Sequence, residues 1–321
     1  MSLSEPRIPT SIPSGTRDLL PEELRELRGI TRSIEDCFAA SGYGEVRTPT
    51  LELESAHNSE LAAYRFIDEQ GNTLVLRSDM TVPIARVALT RFAGSGEPLR
   101  LSYLERSWRR TKAHSGEGRE ILQAGAELIG AESAGVTEVV ELCAKALSAA
   151  GLQDWRIALG DAGILDSALE GLELDTAEAL RKAVVEQDLV TVDRLADEAG
   201  NSELGKLLRY REPAETFLAK PSAFDTSAES QAELRELVEA LSPEVRSRVI
   251  VDFSLSSPLD YYSGIVFSVY EPTVGRAIGG GGSYDSLFEE AGSQVTGCGF
   301  ALDIDLLHQA LAGEARGESL P

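Results

Sequence analysis

Short β-like runs that return after turns as often as after helices limit this chain most. A strict strand–helix alternation would demand a parallel sheet, and the pattern does not supply one. Tyr43 to Arg47 stops before Pro49, and Tyr64 to Ile67 and Thr73 to Arg77 flank Glu69, Gln70, Gly71 and Asn72. Glycine tolerates the positive φ of a hairpin turn there, so a two-stranded antiparallel unit is expected. Leu99 to Leu104, Ile121 to Ile129 and Trp155 to Leu159 read as strands, as do Arg248 to Ser254, Gly264 to Tyr270, Ala277 to Gly281 and Cys298 to Ala301. Leu24, Leu27, Ile30, Ile34, Cys37 and Phe38 recur at helical spacing and predict a helix over Pro21 to Ala40, ended by Gly42. Further helices are expected at Thr81 to Phe92, Val136 to Ala150 and Asp303 to Leu311. The fold class is therefore α+β, a largely antiparallel sheet flanked by helices.

From about residue 164 to 245 the chain becomes charged, helical in period and poor in β signals, which predicts an inserted helical subdomain. The core is then expected over 1–163 and 246–321. The charged, glycine-bearing stretch Arg109 to Gly118 is expected to be a mobile loop, and the small, polar tail Gly313 to Pro321 to fray.

Charge excludes several functions. Thirty basic residues against 53 acidic ones leave a net charge of −23 in 321 residues, which repels nucleic-acid phosphates and anionic lipid. Cys37, Cys143 and Cys298 are odd in number and widely spaced, so neither a disulfide framework nor a zinc site is indicated. The opening residues lack a basic region followed by an apolar one, and no apolar run reaches membrane-spanning length. A soluble protein of the cytoplasm is expected, without metal or cofactor.

Gly279 to Gly282, followed by Ser283, Tyr284 and Asp285, invites a phosphate-loop reading but lacks the Gly-Lys-Ser/Thr that would complete it. Close approach of backbones within a sheet explains consecutive glycines better. His57, His114 and His308 stand far apart with no ligand-type neighbour at metal spacing. Arg77 to Thr81, Gln123 to Glu127 and Leu259 to Tyr262 are, taken singly, ordinary polar residues on apolar elements. Gln123 and Glu127, four apart on a strand, share one face, where two polar groups line a cavity or satisfy a neighbour.

Taken in order, the segments Gly15 to Pro21, the helix running to Pro49, LRSDMT, GREILQAGAELIG, PLDYYSGIVF, GGSYDSL and CGFALDIDLL resemble the catalytic core of histidyl-tRNA synthetase, a class II aminoacyl-tRNA synthetase. The resemblance implies that enzyme's antiparallel core with a helical insertion. It also exposes three departures. Arginines that the synthetase pattern carries in its second motif, before its Leu-Asp-Tyr-Tyr and in its third motif are Tyr103, Ser257 and Leu306 here. In the family those arginines hold ATP phosphates or the amino-acid carboxylate, a role that needs a donor and a cation together. Losing one such stabiliser costs roughly 3 to 4 kcal/mol of barrier. Amino-acid activation is thus expected to be very slow, with no catalytic residues. No anticodon-binding domain is expected after the third motif, and tRNA is not expected as a partner.

Shortened and acidic, with Asp79, Met80, Thr81, Val82, Pro83, Ile84, Ala85 and Arg86 in place of the usual Glu-Gly-Thr, the chain is similar to the regulatory-subunit family of ATP phosphoribosyltransferase. That likeness implies the short-form catalytic subunit as partner and free histidine as a regulatory ligand. It implies self-association through the first-motif region, Leu24 to Pro49. Position by position, Asp79, Thr81 and Gln123 would hold the histidine ammonium, Glu127 and Tyr262 would face the imidazole, Arg119 would meet the carboxylate, and Tyr261 completes the histidine-binding set. The rival is a ligase that still forms an aminoacyl-adenylate and passes it to an acceptor other than tRNA.

Overall fold

A computed structural model describes residues 10–55, 63–94, 96–111, 118–131, 135–220, 224, 228–255 and 261–317. His57, His114, Ser257 and residues 112–117 of the expected mobile loop lie outside them.

Helix α1 (Pro21–Ala40) starts on a proline and two first-turn glutamates, which suit the unpaired N–H groups there. It buries Leu27, Ile30, Ile34 and Phe38, and the chain leaves it through Gly42 at φ +84°. Strand β1 (Gly44–Glu45) follows, then β2 (Leu51–Leu53), β3 (Arg65–Ile67) and β4 (Thr73–Leu76). The expected hairpin of β3 and β4 is present, with Gly71 at φ +84° and Asp68 bonding the backbone N–H of Gln70 and Asn72. It gains a third strand, since β2 pairs with the far edge of β4. A three-residue strand has too short an alternation to stand out in the sequence.

After α2 (Thr81–Arg91) come the long antiparallel pair β5 (Leu99–Trp108) and β6 (Glu120–Ile129), then α3 (Gly135–Ala149) and β7 (Arg156–Asp161). The next stretch holds α4 (Ala162–Leu169), α5 (Leu174–Val185), α6 (Leu189–Glu198), α7 (Ser202–Leu207), β8 (Arg211–Pro213), α8 (Ala214–Ala219), α9 (Ala228–Ala240) and α10 (Pro243–Arg246). Strand β8 departs from the all-helical expectation. It pairs antiparallel with β9 (Val249–Asp252) at the sheet edge, where its Pro213 is tolerated. The chain closes with β10 (Ile265–Tyr270), β11 (Ala277–Ser283), α11 (Asp285–Glu290), β12 (Gly297–Asp303) and α12 (Ile304–Arg316).

The strands form one nine-stranded sheet in the order β1-β5-β6-β12-β11-β10-β7-β9-β8. Only β1 with β5 and β7 with β9 run parallel. Helices α1, α3 and α12 cover one face, and the main core there also takes in Leu180, Val192 and Leu204 from the helical stretch. Helices α2 and α11 lie on the opposite face over a second cluster of Met80, Ile84, Leu101, Tyr103, Tyr261, Tyr284 and Phe288.

The tail corrects another expectation. Gly313 to Arg316 are helical rather than frayed, because Glu314 accepts the backbone N–H groups of Gln153 and Asp154 and Gly313 is buried against Thr273. Gly317, at φ +68°, ends the helix.

Candidate functional site

Alternation on β6 divides its side chains between the two faces. Ala124, Ala126 and Leu128 enter the main core, while Gln123, Gly125 and Glu127 point to the other side. Across the ladders, Glu127 stands between Leu101 and Gly299, Gly125 between Tyr103 and Ala301, and Gln123 between Glu105 and Asp303. Gly280 and Gly282 continue this face on β11, as partners of Ala301 and Gly299. The glycine run is packed strand against strand: a Cβ on Gly281 would meet Gly299 O at 2.1 Å, and one on Gly279 would meet Ala301 O at 2.6 Å. It has no room to wrap a phosphate.

Glu127 is the centre of the site. Only 1% exposed, its carboxylate accepts from Thr81 Oγ1 at 2.9 Å and Tyr284 OH at 2.6 Å. It fits because position 299 is glycine; a Cβ there would stand 1.7 Å from Glu127 Oε2. Burial pushes its pKa up to about 8, and neighbouring Asp79 adds to the rise, although the Tyr284 and Thr81 hydrogen bonds pull the other way. Asp79 precedes α2 and accepts the Val82 N–H. Glu52, on β2, is also pushed up, to about 7, by burial first and Asp79 second. Tyr261 and Tyr262 close the same space: their phenols are raised by burial and by the charges of Asp79 and Glu127, and Tyr261 hydrogen-bonds Thr81. Tyr262 also packs over Gly282, whose Cβ would meet its ring at 2.8 Å.

The structure therefore brings together Asp79, Thr81, Glu127, Tyr261 and Tyr262, with Gln123 on the same face of β6. Gln123 Oε1 and Arg119 Nε are buried and have no hydrogen-bond partner among the described residues. Arg119 lies just before β6, its N–H donated to Gly15 O and its carbonyl accepting from Arg109 N–H. Tyr103 is buried in the site's apolar wall. Leu306, by contrast, joins the main core, in the first turn of α12.

Sequence reasoning missed Tyr284, Gly299, Arg109 and Asp303. Asp303 caps α12 through the Leu306 N–H, and burial raises its carboxyl. Glu105, the other neighbour of Gln123, is held by Arg77 and Arg47. Arg77, only 1% exposed, also donates to Thr48 O and Arg106 O, so its charge is consumed in bracing the strands. Among the described residues no group of three or more histidine, cysteine or acidic side chains is arranged to hold a metal ion.

The family model described as histidyl-tRNA synthetase matches residues 15–307. The ATP phosphoribosyltransferase regulatory subunit of Moorella thermoacetica is 36% identical over 98% of this chain and 84% of its own length. A crystal structure from Bacillus halodurans, described as an ATP phosphoribosyltransferase regulatory subunit/histidyl-tRNA synthetase, superposes with a TM-score of 0.86 at 30% identity, covering 94% of this chain and 83% of that one. A histidine–tRNA ligase subunit from Alicyclobacillus acidocaldarius gives 0.77 at 27% identity, covering 97% and 99%.

Proposed function

We propose, from the premise that this chain belongs to the family of ATP phosphoribosyltransferase regulatory subunits built on the histidyl-tRNA synthetase fold, that its pocket senses free histidine without activating it. The protein is a regulatory subunit in histidine biosynthesis, and its partner is the catalytic phosphoribosyltransferase subunit, of the short form. The observation that carries the histidine reading is a pair of buried, unmet polar atoms, one on β6 and one just before it, on the strand that also bears a buried carboxylate. Gln123 Oε1 awaits a donor and Arg119 Nε an acceptor, while the buried Glu127 stands four residues beyond Gln123 on the same face of β6. An ammonium group, a carboxylate and a ring N–H satisfy those needs in turn. A ligand that leaves such groups unpaired pays about 1 to 3 kcal/mol for each.

Catalytic inactivity is supported by the surroundings of Gln123. Carboxylates of Glu105 and Asp303 flank it on either strand, and Tyr103 and Leu306 stand where the synthetase pattern has cations. Neither position 103 nor position 306 offers a nucleotide phosphate a guanidinium group. The net charge of −23 opposes tRNA binding in the same way. A cytoplasmic location suits this role; among the described residues no helix is long and apolar enough to cross a membrane. Residues 164–245 are assigned as an insertion into a core of 1–163 and 246–321.

Self-association through the first-motif region is best carried by the small sheet that follows it. The apolar side chains of α1 are used inside this chain, whereas Leu51, Leu53 and Phe66 are 48%, 66% and 40% exposed. With Leu74 and Leu76 they share one face of β2, β4 and β3. Titration calorimetry tests the pocket: histidine should give saturable heat and magnesium ATP none. Pyrophosphate exchange with ATP and histidine should stay at background, and robust exchange would instead establish the ligase reading.

A further inference from the structure

Asp161 ends β7 and caps α4, its Oδ1 accepting the Gly163 N–H at 2.8 Å. On β7 it alternates onto the face of Ile157 and Leu159, the side of the main core, opposite the face that bears Glu127. The residue is 2% exposed, and its second oxygen, Oδ2, is buried with no hydrogen-bond partner among the described residues. Helix α9 lies against it, and the Ser230 hydroxyl of that helix donates to the same carboxylate. The fit is close: a Cβ on Gly163 would stand 2.7 Å from Ser230 Oγ and 3.0 Å from Asp161 Oδ1. The charges that bear most on the carboxylate are themselves negative, Glu233 on α9 and Asp166 on α4. Arg181 of α5 is taken up by Asp166 at 2.8 Å, and β10, paired with this end of β7, brings Ile265 opposite Asp161.

An ionised carboxylate is poorly housed here, since one buried oxygen lacks a donor and two like charges bear on it; the neutral acid escapes both burdens. We propose that Asp161 is a proton-dependent latch, which holds α9 against the sheet while its carboxyl is neutral and loosens that hold when it ionises. What the latch secures is a buried row on α9, Leu234, Leu237 and Val238, which belongs to the main core. Burial raises the Asp161 carboxyl to about 6; the Ser230 and Gly163 hydrogen bonds oppose the rise, and Glu233 and Asp166 add to it. Lifting α9 lets water reach the group and returns it toward its ordinary value of 3.8, so a proton favours the seated helix. That stabilisation is complete below the ordinary value and is lost as pH rises through about 6.

The test is hydrogen exchange of the full-length chain between about pH 5 and about pH 7.5, read peptide by peptide by mass spectrometry and corrected for the intrinsic effect of pH. In the wild type, protection of α9 should fall about tenfold or more across that range, while protection of α1 holds within about twofold. Asp161→Asn, which keeps a helix cap but cannot ionise, should leave α9 equally protected throughout. Ser230→Ala keeps the carboxyl and removes a donor to its charged form, so the fall should move to higher pH. Three results overturn the latch: α9 protection that ignores pH in the wild type, the same fall in Asp161→Asn, or α1 losing protection together with α9. A Ser230→Ala profile that overlays the wild type overturns it as well.

Discussion

At the scale of single residues, Glu127 holds the most consequential proton in the molecule. Its pKa in the folded chain, about 8, lies above its ordinary value of 4.5, so the folded state binds this proton more tightly than the unfolded state does. The resulting stabilisation is complete below the ordinary value and is lost as pH rises through about 8. Melting temperature should therefore fall for the wild type between about pH 5 and about pH 8.5 relative to Glu127→Gln, whose amide cannot titrate. Parallel curves for the two proteins would show that Glu127 is not the group responsible. The same variant should bind histidine at least about tenfold more weakly by calorimetry run above about pH 8, where Glu127 is ionised and an amide cannot supply the charged acceptor to the ring N–H. That Gln123 and Glu127 share a face is legible in the sequence, since a strand repeats every two residues. That Thr81 and Tyr284 close on Glu127 is not legible, for those contacts span 46 and 157 residues.

At the scale of elements, the register of β12 against β6 decides whether the carboxylate fits. Gly299→Ala places a methyl group on Glu127 Oε2, and overpacking of this kind costs about 1 to 3 kcal/mol. Thermal denaturation should show that loss, and calorimetry a loss of histidine binding; a variant as stable as wild type would mean the strands are not locked in this register. Nothing in the local sequence around Gly299 announces the role, because the clash is with another strand. The small sheet carries a second prediction. Strand β2 turns Glu52 toward Asp79 and its flanking leucines outward, so Leu53→Glu and Phe66→Glu put charge on an apolar face without touching the pocket side. Sedimentation should show mass falling from about twice 34.5 kDa to that of one chain, with histidine binding retained. A wild type that is already monomeric would refute the surface. The long helices and the paired strands flanking Gly71 were readable from period and turn chemistry. Strands β2 and β8 were not, being three residues each and defined by a partner far away in the chain.

At the scale of the whole molecule, one sheet separates two uses. One face, under α1, α3 and α12, is a continuous apolar core that includes side chains of the helical stretch, while the opposite face, under α2 and α11, carries a second apolar cluster beside the buried Asp79 and Glu127. Motif order along the chain was enough to anticipate that scaffold. The balance of charge inside the pocket was only partly legible: the replacement of arginines at 103 and 306 can be seen in the sequence, but Asp303 and Glu105 flanking Gln123 emerge only from the strand pairing. A pocket so composed serves regulation only if its ligand favours one state of a larger complex over another. The most direct measurement is the initial rate of phosphoribosyl transfer by a cognate short-form catalytic subunit, with and without this protein and with and without histidine. The rate should rise when the protein is added, and that gain should fall away as histidine is titrated in. A catalytic subunit whose rate neither rises nor becomes sensitive to histidine would contradict the assignment.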